Sequence, residues 1–155
     1  MDVYKRLGEL GIELPTITAP FASFLLAKEF GDKMLYLSGT GPVFQDGKPL
    51  FTGQLGKELT VEEGQQAARS VGLSMLANLH TVTGDLNRVK SIVKVLGFIS
   101  SAPGFFSQPA VLNGFSDLMV EVFGPEIGSH ARSAIGTSVL PFNIPIEVEI
   151  LVELK

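Results

Sequence analysis

One arginine and two glutamates stand in otherwise apolar, strand-like sequence near the C-terminus: Arg132 in His130-Ala131-Arg132-Ser133-Ala134-Ile135-Gly136, then, beyond Leu140-Pro141, Glu147 and Glu149 in Ile146-Glu147-Val148-Glu149. Period-two alternation places His130, Arg132 and Ala134 on one face of a strand, and Glu147 and Glu149 together on one face of the next. A guanidinium held rigidly by a sheet is a ready clamp for a carboxylate, because its planar fork makes two parallel charge-assisted hydrogen bonds. The competing reading is an ordinary sheet-edge arginine paired with Glu147 or Glu149. If residues 130–139 and 145–154 form a hairpin turning near Phe142 and Asn143, Arg132 lies opposite Glu153. Glu147 then faces Ser138, roughly 20 Å along the ladder from Arg132. In that arrangement the arginine and Glu147 share a site only through a bulge, a different register or a neighbouring subunit.

Composition bounds the setting in which such a site works. A chain of 155 residues, 45% hydrophobic and 18% charged, with 17 glycines, is expected to fold as one globular domain spanning residues 1–155, with residues 1–19 as a helical extension. No cysteine is present, which removes disulfide scaffolds, thiolate zinc sites and cysteine nucleophiles. With two histidines, His80 and His130, a histidine-rich metal site is not expected, and no cofactor is called for. No stretch approaches the ~20 apolar residues of a membrane span, and Met1 to Pro15 carries charges where a signal peptide is apolar, so the expected location is cytoplasmic, with no membrane partner. A net charge of -4 and a pI near 5.1 weigh against a nucleic-acid partner, whose phosphates call for clustered Lys and Arg.

The elements that must position the charged residues follow from pattern. Asp2 to Gly11 reads as a short amphipathic helix, ended by the glycine and Pro15. Phe24 to Phe30 and Lys33 to Ser38 read as a hairpin around Gly31-Asp32, followed by a loop through Gly39, Gly41, Pro42 and Asp46-Gly47. The Ser38-Gly39-Thr40-Gly41-Pro42 stretch either cradles a ligand with backbone amides or is a plain turn. Thr60-Val61-Glu62-Glu63 is a capping box, and Ala67, Ala68, Val71, Leu73, Met75, Leu76 and Leu79 mark a long helix ending near Gly84. His80 falls in its last turn, where the helix dipole favours positive charge, and is read as structural. Val89 to Ser101 reads as a strand; Gln108 or Pro109 opens a second helix through Leu112, Leu118, Met119 and Val122 to Phe123-Gly124. The order strand, strand, helix, strand, helix, strand, strand implies an α+β fold, a mixed sheet with two helices on one face. The other face, with a strand such as Ile92 to Ile99 apolar on both sides, is expected to be an oligomer interface.

The spacing of Tyr36-Leu37-Ser38-Gly39, the Thr60-to-Gly84 helix, Val111-Leu112-Asn113, Phe123-Gly124, Ala131-Arg132-Ser133-Ala134 and Leu140-Pro141 to Glu147-Val148-Glu149 resembles the Rid family, also called the YjgF or L-PSP-type family, over roughly residues 20–154. The resemblance implies a chorismate-mutase-like fold and a homotrimer with sites between subunits. It also implies, as in the best-understood members, hydrolysis of enamine or imine intermediates to 2-keto acids and ammonia. Carried over by position, Arg132 matches the arginine that binds the substrate carboxylate, and Glu147 the glutamate that orients the hydrolytic water. Ser38 and Asn113 match polar pocket-lining positions, and both also suit local backbone caps.

Two positions depart from that pattern. Ala134 stands where the deaminases commonly carry cysteine, although its backbone carbonyl is still able to hold a water; Phe24 stands where a tyrosine is expected, allowing a one-residue insertion before Tyr36. The motif Gly-Ser-His-Ala-Arg, with Ser101-Ala102-Pro103 and Gln108-Pro109, resembles a longer, less characterised branch, in which His130 acts as an acid or base, adds positive charge for an anion, or is structural. Two functions stay open: an imine or enamine hydrolase, and a non-catalytic protein that binds a small carboxylate metabolite in the same cleft. A ribonuclease or translation-inhibitor role, implied by older family labels, is opposed by the acidic charge.

Overall fold

The protein is represented by a computed structural model that describes residues 2–17 and 23–155. Helix α1 (Val3–Glu9) starts where the Asp2 carboxylate accepts from the Lys5 N–H, and buries Val3 and Leu7, one turn apart. Strands β1 (Ala27–Phe30) and β2 (Met34–Thr40) form the expected hairpin, although the first begins three residues after Phe24. The stretch expected as a plain loop holds a second hairpin, β3 (Phe44–Gln45) and β4 (Lys48–Pro49). Its turn residues Asp46 (φ 52°) and Gly47 (φ 75°) both take the left-handed conformation that a two-residue hairpin turn demands.

Helix α2 (Val61–Thr83) begins and ends at its sequence signals. The Thr60 hydroxyl accepts from the Glu63 N–H while the Glu63 carboxylate accepts from the Thr60 N–H, and Gly84 closes the helix at φ 72°. His80, in its last turn, packs edge to face on Tyr4 of α1, whose hydroxyl lies 2.8 Å from His80 Nδ1, a contact that ties α1 to α2. Strand β5 (Val89–Ser100) leads into helix α3 (Gln108–Gly128), which continues one turn past Phe123: the backbone leaves helical values at Gly124 (φ 77°, ψ 165°) and Pro125 starts a further turn. Strands β6 (Ala131–Thr137) and β7 (Ile146–Leu154) complete the chain. Among the described residues no helix is long and apolar enough to cross a membrane.

The five long strands form one mixed sheet in the order β1-β2-β7-β5-β6. The hairpin expected between β6 and β7 does not form, because β5 lies between them. Helix α3 carries the chain back across the sheet so that β6 runs parallel to β5, the crossover that parallel strands require, and β7 pairs antiparallel on the other flank of β5. Arg132 therefore sits beside Val95 and Glu147 beside Phe98, in place of the expected partners Glu153 and Ser138.

Helices α2 and α3 cover one face of this sheet, as the pattern implies. Leu35, Leu37, Val95, Ile99, Val148 and Ile150 point into that layer and are at most 1% exposed. The other face carries Tyr36, Leu96, Phe98, Glu149 and Ile135. Two glycines let α3 press inward. A Cβ on Gly97 of β5 would lie 2.7 Å from Leu112 Cδ1, and one on Gly114 would collide with the backbone carbonyl oxygen of Gln65 on α2. Gly114→Ala is therefore expected to destabilise the fold by roughly 1–3 kcal/mol, the range for forced overpacking, despite the better helix propensity of alanine. Urea unfolding of parent and variant measures this; an equally stable variant would show that the two helix backbones do not touch at Gly114.

Candidate functional site

Arg132 lies on β6, the edge strand, and shares the sheet face of its neighbour Val95, so its side chain points toward α3. There it meets three neutral acceptors: Nη1 donates to Ser116 Oγ (2.9 Å), and Nη2 donates to Asn113 Oδ1 (2.7 Å) and to the Pro109 carbonyl (3.1 Å). All three come from the first turns of α3, the element that Gly97 and Gly114 draw inward. Two of the five guanidinium N–H donors remain beyond these bonds. Among the described residues Arg132 forms no ion pair, so pairing with Glu147 or Glu149 is not how it is held.

His130 lies beside this cluster but does not present a free nitrogen. Its Nδ1 is 2.7 Å from the Gly128 carbonyl, which only accepts, so that nitrogen carries the hydrogen; Nε2, 2.9 Å from Ser116 Oγ, then accepts from the hydroxyl. Burial is the main cause holding its pKa below the usual histidine value, with the Arg132 charge adding to it and the hydrogen bond to Gly128 opposing both. A neutral His130 thus orients the Ser116 hydroxyl, whose oxygen receives Arg132. Asn113, Ser116, His130 and Arg132 together line a cavity of about 230 Å³.

Ala134 follows Arg132 on the same face and packs against the core. Thr137 directs its carbonyl toward the end of β5, where it accepts from Ser101 N–H. Strict alternation along β6 then turns the backbone groups of Arg132, Ala134 and Gly136 outward, to the open edge of the sheet. The Ala134 carbonyl is available there.

Glu147 belongs to a different place. Val148 and Ile150 of β7 face the core, so Glu147 and Glu149 face the opposite side of the sheet from Arg132. The Glu147 carboxylate folds over Gly39, whose missing side chain leaves the space; any Cβ there would strike Oε1. Burial raises the Glu147 pKa above the usual carboxylate range, and the Glu149 charge raises it further. Glu149 is occupied by Tyr36, whose hydroxyl donates to Oε1 at 2.5 Å.

Phe24, Ser38 and Glu147 border one cavity of about 550 Å³, between the Ser38-to-Phe44 segment, α2 and the turn at Pro141–Asn143. The Ser38 hydroxyl is committed locally, donating to the Leu25 carbonyl at 2.6 Å, which fits the capping reading. The seven residues singled out by sequence thus fall into two groups: Arg132, Asn113, His130 and Ala134 toward the β6 edge, and Phe24, Ser38 and Glu147 on the other cavity. Within one chain they do not form a single site. Sequence reading missed Ser74 and Asn78 of α2 and Phe142, which also line the larger cavity. Asn78 carries a signal, since it falls with Val71 and Met75 on the buried stripe of α2 at a heptad position where apolar residues are the rule.

Comparison with known proteins agrees with this architecture. The family model described as "YjgF/chorismate_mutase-like, putative endoribonuclease" matches residues 4–154. Protein TCP17 of Trypanosoma cruzi is 45% identical over 153 residues, covering 99% of this chain and 94% of that relative. Among solved structures, one from Shewanella oneidensis, named a putative endoribonuclease, superposes with a TM-score of 0.92 at 34% identity, covering 99% of this chain and 100% of that one. A protein of unknown function from Agrobacterium tumefaciens gives a TM-score of 0.86 at 35% identity, over 98% and 91% of the two chains. With a family model matched over residues 4–154 and relatives of this identity and coverage, the chain belongs to the Rid or YjgF family, of chorismate-mutase-like fold.

Proposed function

We propose that the chain is a homotrimeric hydrolase of small imines or enamines bearing a carboxylate, acting in a cleft where the Arg132 cluster of one copy meets the Glu147 cavity of the next. The observation that carries this reading is the pairing of a preorganised guanidinium, held by neutral oxygens alone, with a half-buried carboxylate of raised pKa on the opposite sheet face. The first suits a substrate carboxylate and the second a water to be deprotonated. The apolar sheet face around Leu96, Phe98 and Ile135 is a fitting surface for the neighbouring copies.

In this mechanism Arg132 binds the substrate carboxylate, with Asn113 and Ser116 fixing its plane and His130 fixing Ser116. An enamine first takes a proton on its terminal carbon to become the imine. Water adds to the C=N carbon, giving one proton to Glu147, while the Ala134 carbonyl accepts a hydrogen bond from the same water. Glu147 passes that proton to nitrogen, the carbinolamine O–H gives up the second as the C–N bond breaks, nitrogen leaves as ammonia, and the resulting C=O completes a 2-keto acid with Glu147 again ionised. The step is redox-neutral and calls on no cofactor. Phe24 contributes an apolar wall where a tyrosine would supply a hydroxyl, and Ser38 shapes the segment over the cavity. Those two features, Phe24 and Ala134, also suit a second reading, a binding protein that keeps the clamp without turnover. The net charge of -4 speaks against RNA as substrate.

Arg132→Ala is expected to abolish 2-keto acid binding while the protein stays folded, a loss of about 2–4 kcal/mol for a charge-assisted bidentate pair. Calorimetric titration with pyruvate tests it, and unchanged affinity would sink the clamp.

Glu147→Gln is expected to slow ammonia release from freshly generated 2-aminoacrylate and, unusually for a site residue, to stabilise the fold at pH 7. Because the folded-state pKa of Glu147 is raised, the folded chain binds its proton more tightly than the unfolded one, and the residue costs stability once pH exceeds the unfolded value of about 4.3. The gain in melting temperature on substitution must therefore vanish below pH ~4, where the glutamate is protonated in both states. A pH-independent difference would remove the burial argument.

Co-refolding equal amounts of the Arg132→Ala and Glu147→Gln chains is expected to restore activity at about a quarter of the interfaces of a cyclic trimer, those joining an intact arginine to an intact glutamate. No recovery on mixing would place both residues in the same subunit's site.

A further inference from the structure

The 550 Å³ cavity beside Glu147 is larger than a three-carbon acid needs, and falls in the range of about 300–1,000 Å³ that houses ligands of drug-like size. Its walls are apolar: Leu26, Pro42, Val43 and Ile144, with Phe44 and Phe142 edge to face at 5.6 Å. Phe142 is held at φ 57°, ψ 18°, a conformation that a bulky residue keeps only when its surroundings impose it. Away from Glu147 and Ser38, helix α2 adds two polar groups to this lining. Ser74 and Asn78 stand one turn apart on α2 and both border the cavity.

The orientation of Asn78 follows from its neighbour. Thr40 Oγ1 donates to the Ser38 carbonyl (3.0 Å), so toward Asn78 it accepts, and Asn78 Nδ2 donates to it at 3.0 Å. Asn78 is 8% exposed, yet no fully enclosed side-chain oxygen or nitrogen among the described residues lacks a partner. Among the described residues its Oδ1 has no hydrogen-bond donor, and the open space that Asn78 borders is the cavity. An acceptor that faces the cavity is free to bind water, and an O–H or N–H group on a ligand takes that water's place with a direct hydrogen bond.

We propose that the substrate carries a large apolar side chain, of aryl size, ending in a hydroxyl or similar donor that Asn78 Oδ1 receives, with Ser74 beside it. The inference rests on the reading of Arg132 as carboxylate clamp, and it replaces the three-carbon imine of 2-aminoacrylate with that of a bulkier amino acid bearing a distal donor. Such a substrate spans the site, its carboxylate on Arg132 and its C=N carbon near Glu147, with its tail against the Phe44–Phe142 pair.

Titrating the full-length protein with pyruvate, phenylpyruvate and 4-hydroxyphenylpyruvate tests this. Burying the ring is expected to tighten binding at least tenfold over pyruvate, and the hydroxyl to add roughly three- to tenfold. Asn78→Ala should erase the hydroxyl increment. Ser74→Leu, at a half-buried position, should fill the cavity floor and erase the aryl preference, which keeps the test available if the asparagine variant fails to fold. Aryl acids binding no tighter than pyruvate, with pyruvate still held through Arg132, would overturn the inference and leave the clamp standing. A hydroxyl preference that survives Asn78→Ala would overturn the role of Asn78. Failure of all three acids to bind would instead overturn the clamp.

Discussion

A positive charge secured without a counter-charge is the constraint on which the rest of this structure turns. The guanidinium of Arg132 is oriented by Asn113, Ser116 and the Pro109 carbonyl, three oxygens that fix its plane and leave its charge in place. A carboxylate in any of those positions would neutralise it and, in so partly buried a setting, would bind it more tightly than an exchangeable ligand could displace. Building such a cradle needs the start of α3 to lie close over β6. Glycines supply that closeness: Gly97 beneath Leu112, and Gly114 against the Gln65 carbonyl. His130 contributes from outside the cradle, as a neutral donor-acceptor that sets the direction of the Ser116 hydroxyl.

The carboxylate on the other face follows the opposite logic. Glu147 is kept basic by lack of water and by Glu149, and no cation among the described residues offsets either. Gly39 is the structural condition for this, since any side chain there would occupy the place of the carboxylate. Such a group costs folding stability at neutral pH, which fits a position retained for chemistry better than one retained for packing.

Local signals in the sequence were enough where the determining physics is local. The capping box at Thr60 and Glu63 and the left-handed Gly84 bound α2, and the hairpin at Gly31-Asp32 and the long strand from Val89 stand where pattern places them. Strand partners are another matter. Alternation says which residues of β6 share a face and nothing about which strand lies alongside, so β6 and β7, adjacent in sequence, read as a hairpin while β5 separates them in space. The same limit hid the opposite facing of Arg132 and Glu147. Strands of two residues are too short for any alternation, which is why β3 and β4 escaped notice although Asp46-Gly47 is a strong turn signal. Asn78 was legible in principle, as one polar residue in the apolar stripe of α2, but only the Thr40 hydroxyl shows which end of its amide is free.

Separation of the two charges by the sheet has a chemical consequence of its own. Were Arg132 and Glu147 within about 4 Å on one face of one chain, each would cancel what makes the other useful: the guanidinium would lose its affinity for an external carboxylate, and the glutamate pKa would fall by 1–3 units, making it a poorer base. In this fold Arg132 beside Val95 and Glu147 beside Phe98 are offset along β5 and face opposite layers, so no side-chain rearrangement within the chain pairs them. A cleft assembled from two copies can hold both groups at a substrate's length, with the substrate's own carboxylate and electrophilic carbon between them. In the proposed cleft, folding optimises each half independently, and the attraction that would collapse them together is left for the ligand to meet.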